Sequence, residues 1–304
     1  MSIKKEEFKV KSSDNIHDLA GIIYIPESEP KGIFQIVHGM TEHIGRYDRF
    51  MTFMAENGYI VCGHDHLGHG KTAKTGEHGF FAEKKGYQRV VDDVAIFGAA
   101  VRKKYSEDLP YFLMGHSMGS FIARLTAKQY DMQDKLIVMG TGGPDPMSLP
   151  GLWLIRCLKF FNGKRGYSKL LDKVGFGSYN ERFADENDPK SWISSIPKER
   201  NKTDGDVFCN FKFTLSAMED LMMLNILANK KSWAKGLNKN KPVLLVSGTE
   251  DPVGNYGEGV KRVNEMLKAA GVPVTMKLYK NARHEILNDI SMDEVNKDIL
   301  EFIK

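Results

Sequence analysis

Short apolar runs alternate along this chain with stretches whose apolar residues fall three and four positions apart. The runs "GIFQIVHG" (32–39), "YIVCGHD" (59–65), "PYFLMG" (110–115), "KLIVMG" (135–140), "PVLLVSG" (242–248) and "VTMKLY" (274–279) predict buried strands. Residues 45–57 predict a helix, with Tyr47, Phe50 and Met54 on one face and Gly58 as the stop. A second helix is expected over 87–104, where Val90, Val94, Phe97 and Val101 form one stripe, and others over 118–130, 257–270 and 292–303. Residues 6–12 and 20–25 read as a short antiparallel pair separated by "SSDN", and 66–85 as a long loop. Apolar strands alternating with amphipathic helices predict parallel βαβ units whose sheet is covered on both faces. The pattern breaks between about 143 and 236, where Pro- and Trp-containing, mostly helical sequence offers no clear strand. The expectation is an α/β core, 1–142 and 237–304, with a helical cap inserted at 143–236. Neither an internal repeat nor a low-complexity segment is evident.

Composition narrows the function classes. The chain has 304 residues, 41% hydrophobic and 27% charged, which suits one large α/β domain or two smaller ones and argues against bulk disorder. Its 43 Lys and Arg against 39 Asp and Glu give a net charge of +4, and the basic residues are scattered. That distribution predicts a solvated surface rather than a nucleic-acid footprint, while leaving room for a weak attraction to anionic lipid. Cys62, Cys157 and Cys209 are odd in number and widely spaced, which predicts reduced thiols in a cytoplasmic protein rather than disulfides or a zinc ribbon. "MSIKKEEFKV" lacks the apolar core of a signal peptide, and no run approaches the length of a membrane span.

Candidate chemistry centres on "YFLMGHSMGSF" (111–121), which contains Gly115-His116-Ser117-Met118-Gly119, a G-x-S-x-G. The pentapeptide alone is a weak signal. Its position between a predicted buried strand and a predicted helix is what a nucleophile elbow requires, because both glycines give room for a tight turn. Met118 would then open the helix and direct its N–H at a developing oxyanion. A serine needs a base and a carboxylate that orients the base, and on this scaffold the chain order is serine, acid, histidine. Of nine histidines only His284 follows Ser117, in "NARHEIL" after a predicted strand. Asp251 is the chosen acid, a few residues beyond "PVLLVSG" at the carboxyl end of a core strand. Glu250 is its neighbour and rival, and Asp145 an alternative from the preceding strand. The loop "HGMTEH" (38–43) would supply a second donor, the backbone N–H of Met40, with Gly39 allowing the turn. "HDHLGH" (64–69) has the look of a metal cluster, but a strand-end loop supporting the neighbouring site is the favoured account, and neither metal nor cofactor is expected.

These pieces together resemble the α/β-hydrolase superfamily, and within it the monoacylglycerol lipase and lysophospholipase group, also described alongside serine aminopeptidases. The resemblance rests on "VHGMTEHIGRYDRF" (37–50), "GHDHLGHGKT" (63–72), "GHSMGSF" (115–121), "GTEDPVGNYGEGV" (248–260) and "RHEILND" (283–289). It implies the α/β-hydrolase fold, a mostly parallel central sheet of about eight strands flanked by helices with an inserted helical cap. It also implies catalysis by Ser117, Asp251 and His284, oxyanion donation by Met40 and Met118, and a supporting polar network of Glu42, His43 and Arg46, with Gly39 and His116 beside it. The implied substrate is a small-molecule acyl ester with one lipid chain, and the implied partners include neither nucleic acid nor a cofactor. Ser120 stands where many relatives carry Gly. Segments 168–183 and 206–214 look like bacterial members, whereas 184–205 departs from the pattern.

The helix expected at "GLWLIRCLKFF" (151–161) is read as packed on the core, the alternative being a transient membrane-surface contact through the cap. Met118, Met147, Met218, Met222 and Met223 could line an acyl pocket, though core filling is the commoner use. Two rivals accompany the esterase reading. One is an amidase or aminopeptidase with the same triad, which would want cap carboxylates such as Glu181, Asp185 or Glu186. The other is a non-catalytic binding version of the fold.

Overall fold

The computed structural model of the chain describes residues 3–304. Among them eight strands form one sheet: β1 (Lys4–Lys11), β2 (Asp18–Ile25), β3 (Ile33–Val37), β4 (Ile60–His64), β5 (Tyr111–His116), β6 (Lys135–Met139), β7 (Val243–Gly248) and β8 (Val274–Tyr279). Their order is β1-β2-β4-β3-β5-β6-β7-β8. The pairs β1–β2 and β2–β4 are antiparallel and the others parallel. The helices are α1 (Asp48–Glu56), α2 (Gly86–Tyr105), α3 (Met118–Tyr130), α4 (Ser148–Asn162), α5 (Lys169–Phe176), α6 (Pro197–Asn201), α7 (Leu215–Ala228), α8 (Lys231–Lys235), α9 (Glu258–Ala269) and α10 (Met292–Ile303). This is the α/β-hydrolase architecture that the resemblance implied.

The central strands are apolar throughout because both of their faces are covered, and successive side chains alternate between two cores. Leu113, Val138 and Leu245 join Val94 and Phe97 of α2, Ile122 of α3 and Val263 of α9. Phe112, Ile137 and Leu244 join Phe50 and Met54 of α1 and Ile299 of α10 on the other side. β1 closes one edge with "KKEEFKVK", whose charged residues are mostly exposed, a composition that discourages edge-to-edge pairing.

Two local readings differ from expectation. The helix expected over 45–57 is instead a 3₁₀ turn, Ile44–Tyr47, followed by α1. The Ile44 N–H, an orphan donor at the start of the 3₁₀ turn, is satisfied by Asp65 Oδ1 at 2.9 Å. α4 packs on only one side. Leu152 and Ile155 are buried, but Trp153, Phe160 and Phe161 are 70%, 83% and 82% exposed, so the helix is not simply a packed one.

Between β6 and β7 the described residues are helical or irregular, with no strand. The last part of this insertion is not detached from the sheet. Ala217, Leu224 and Ala228 of α7 and Trp233 of α8 belong to the same apolar cluster as α2 and α3. Asp220 of α7 accepts the Tyr87 N–H at 2.9 Å, satisfying one of the orphan donors at the start of α2. Among the described residues no helix is long and apolar enough to cross a membrane.

Candidate active site

β5 ends at His116 and α3 begins at Met118, leaving Ser117 to make the whole turn. Its backbone sits at φ 53°, ψ −121°, a conformation that costs a residue with a Cβ about 1–3 kcal/mol. The turn is held by the Ser117 N–H to the Met139 carbonyl (3.0 Å) and by the Ser120 N–H to the Ser117 carbonyl (2.9 Å). The glycines are sterically required. A Cβ on Gly115 would lie 2.2 Å from the Gly119 oxygen, and one on Gly119 would lie 2.1 Å from the Val37 oxygen. Ser120 uses its hydroxyl locally, donating to the Ser117 carbonyl at 2.6 Å.

His284 and Asp251 come from the loops after β8 and β7, 33 positions apart, and meet at 3.0 Å between Nδ1 and Oδ1. Asp251 is fully buried. Its Oδ2 accepts the Ser247 hydroxyl (3.0 Å) and its Oδ1 the Val253 N–H (2.9 Å). Burial pushes this carboxyl up, but the His284 ring and those two donors prevail and hold it below its usual range. Ser117 and His284 both flank the end of β6: Ser117 bonds to Met139, and a Cβ on the next residue, Gly140, would lie 3.2 Å from His284 Cε1. The rival acids lie elsewhere. Glu250 faces Arg182 at 3.4 Å, and Asp145 accepts the Met147 N–H in an exposed turn.

The loop after β3 carries Gly39, Met40, Glu42, His43 and Arg46. Glu42 Oε1 accepts the Gly39 N–H and the Tyr47 hydroxyl (2.9 Å), and lies 3.3 Å from His116 Nδ1. Arg46 reaches Glu42 Oε2 at 3.1 Å and forms a two-pronged pair with Glu285 at 2.7 and 2.8 Å. Burial opposes the charge on Glu42, yet the His116 hydrogen bond and the Arg46 charge lower its pKa. His116 is raised for the complementary reason, Glu42 outweighing desolvation. With Nε2 3.3 Å from the His284 carbonyl, His116 links this loop to the His284 backbone. His43 points away from these groups. Its Nε2 pairs with Asp206 Oδ2 at 2.8 Å, and His43, Asp206 and Cys209 bring ligand-type atoms within 4.8 Å of one another, tying the loop to the insertion.

Sequence reasoning missed the work done by His38, His66 and His69. His38 Nε2 accepts the His66 N–H (3.0 Å), so Nδ1 carries the proton and donates to the Gly39 carbonyl (2.8 Å). Across a trans peptide the Gly39 C=O and the Met40 N–H point in opposite directions, so His38 turns the Met40 N–H away from itself. His69 Nε2 accepts the Thr41 N–H (3.3 Å) from a residue at φ 51°. Burial lowers the pKa of His66 and His69 to about 3, leaving neutral rings packed edge to face behind the loop. The cluster within "HDHLGH" was the available signal, and it fits the supporting-loop account. Glu285 and Trp192 were also not singled out. Of the methionines, Met118 and Met218 are buried in the core, whereas Met147 is 65% exposed.

The family model described as serine aminopeptidase, S33, matches residues 28–291. The chain is 26% identical to a monoglyceride lipase of Mus musculus over 90% of this chain and 82% of that protein. It is 27% identical to a monoacylglycerol lipase of Mycolicibacterium smegmatis over 97% and 98%. Among solved structures, a thermostable carboxyl esterase from Bacillus coagulans in complex with glycerol superposes with a TM-score of 0.92 at 33% identity, covering 99% of this chain and 98% of that one.

Proposed function

The chain belongs to the serine aminopeptidase S33 family, and from that premise we propose that it is a serine hydrolase of carboxylic esters, acting on monoacylglycerols or lysophospholipids through an acyl-enzyme. Ser117 attacks the acyl carbonyl. His284 takes its proton and passes it to the leaving alcohol, after which a water, activated by the same ring, releases the acid. Asp251 holds the imidazole in the tautomer that leaves Nε2 free and stabilises the imidazolium. The N–H groups of Met40 and Met118 receive the oxyanion, each such donor being worth about 3–4 kcal/mol in the transition state. No cofactor takes part in this sequence of steps.

The observation that carries the reading is the buried Asp251–His284 pair and a serine held in a strained turn, both flanking the end of β6. The orientation of the Gly39–Met40 peptide supports the donor role of Met40. The relatives described as monoglyceride or monoacylglycerol lipases support the substrate class. The aminopeptidase reading has less behind it, because Glu186, one carboxylate available to clamp a substrate amine, is engaged by Arg283 and Arg200. In this proposal residues 143–236 act as a cap over the core. The exposed Trp153, Phe160, Phe161, Leu170 and Val174, with exposed Lys169 and Lys173, form its contact with a lipid surface, and the three free cysteines suit a cytoplasmic setting.

Hydrolysis of a monoacylglycerol chain-length series, with matched lysophospholipids, short p-nitrophenyl esters and aminoacyl amides, tests the proposal in wild type and Ser117→Ala. Serine-dependent release from the single-chain lipids is expected. Turnover that survives Ser117→Ala would refute the nucleophile, and release from amides alone would refute the substrate class.

A further inference from the structure

Residues 184–205 lie against the loop that carries His284. The Trp192 carbonyl accepts the His284 N–H (3.3 Å) and the Ile193 carbonyl accepts the Glu285 N–H (2.8 Å), so two consecutive residues of each strand of chain run side by side. Charge locks this register. Arg283 donates to the Ser191 carbonyl at 2.6 Å, pairs with Glu186 and covers the Phe183 ring at 3.9 Å. Asp289 accepts the Ser195 N–H at 3.0 Å, and the Ser194 hydroxyl donates to the Asn288 carbonyl at 2.7 Å. Within the segment, Arg200 braces it through Asp188 (2.6 Å) and the Ser194 carbonyl (2.8 Å). So many bonds to one loop describe a clamp rather than a free lid.

At its centre the Trp192 indole faces the His284 imidazole, centroids 5.2 Å apart and planes tilted by 37°. The Trp192 backbone N–H donates to Asn180 Oδ1 at 3.1 Å, and the Tyr179 ring packs edge-on against the indole at 5.1 Å. The His116 ring is a second neighbour of the imidazole, at 4.8 Å between centroids. With Nδ1 bonded to Asp251 and both neighbours in place, the ring has little freedom to rotate.

We propose that Trp192 is a positioning residue for His284: its indole confines the imidazole to the orientation in which Nδ1 stays on Asp251, while the backbone pairing of 192–193 with 284–285 fixes the loop beneath. The inference rests on the reading of His284 as general base. An aromatic face also favours the imidazolium formed during acylation, which a same-sized aliphatic side chain does not. Segment 184–205 thereby acts on the rate of the chemical step rather than on the choice of acyl chain.

Steady-state kinetics on p-nitrophenyl butyrate, fluorophosphonate labelling rates and thermal unfolding test this in Trp192→Ala, Trp192→Leu, Trp192→Phe and His284→Asn. Trp192→Ala and Trp192→Leu are expected to lower kcat about 10- to 100-fold. KM should stay within about twofold, and labelling should slow in parallel with kcat. Trp192→Phe should recover to within about threefold of wild type, because it restores an aromatic face. Trp192→Leu fills much of the volume and guards against loss of fold in the alanine variant. Unchanged kcat in both truncations, a loss confined to KM, or a phenylalanine variant no better than leucine would overturn the proposal. Wild-type turnover in His284→Asn would overturn the base assignment itself, and the Trp192 role with it.

Discussion

Gly119→Ala is a small substitution with a large expected effect. Gly119 lies in the first turn of α3, where alanine is favoured over glycine by up to about 1 kcal/mol on propensity alone. Tertiary packing reverses the sign. The new Cβ would sit 2.1 Å from the Val37 oxygen and 2.4 Å from the His38 oxygen, both backbone atoms, and contacts under 3.0 Å are essentially never seen. The end of β3 and the start of the Gly39–Met40 loop must therefore move by about 0.6–0.9 Å relative to α3. Overpacking of this kind costs about 1–3 kcal/mol of stability. For the oxyanion donors proposed above, the Met40 and Met118 amides, a relative displacement approaching 1 Å costs about 100-fold in turnover. kcat and KM on p-nitrophenyl butyrate and the thermal midpoint, measured beside Gly175→Ala, give the comparison. Gly175 lies in α5 with nothing within 4 Å of an added Cβ, so its replacement should leave kcat unchanged. If Gly119→Ala kept wild-type kcat and midpoint, the close approach of α3 to the Gly39–Met40 loop could not be what sets the geometry.

Three further outcomes follow from the same structure. Asp251→Asn should lower kcat by about 10⁴-fold with the fold intact, because an amide can hold the wrong imidazole tautomer; Glu250→Gln should leave kcat nearly unaltered, and the reverse result would reassign the acid. Met40→Ala should be mild and Met40→Pro should lose about 10²- to 10³-fold in kcat, since only proline removes the N–H; equal losses would point to the side chain instead. Burial raises Asp93 to about 6 and Asp220 to about 7 against the hydrogen bonds they accept. The folded state thus keeps protons that the unfolded chain releases near pH 4, so this contribution is full below that pH and is lost as the pH climbs through about 6 and 7. Thermal midpoints should therefore fall by several degrees from pH 5 to pH 8, and the double variant Asp93→Asn, Asp220→Asn should flatten that slope; an unchanged slope would mean other groups cause it.

What the chain determined locally is the set of elements. Runs such as "KLIVMG" and "PVLLVSG" are apolar at every position because strands covered on both faces have no solvent side, and that pattern is visible without a fold. The final helix, Met292–Ile303, and the strand–turn–helix around Ser117 were legible for the same reason: period and glycine placement are properties of neighbouring residues. Chain order narrowed the candidate base to His284. Three-dimensional packing decided the rest, because it brings together residues far apart in sequence. Arg46 and Glu285 are 239 positions apart, and neither sequence neighbourhood announces the other. His66 and His69 are neutral because the surrounding fold desolvates them, not because of their spacing in "HDHLGH". The exposed face of α4 depends on what α7 covers, and the contact of Trp192 with His284 on a clamp anchored by Arg283. Periodicity says which way a side chain faces within its own element; what it meets there is set by where the rest of the chain has folded.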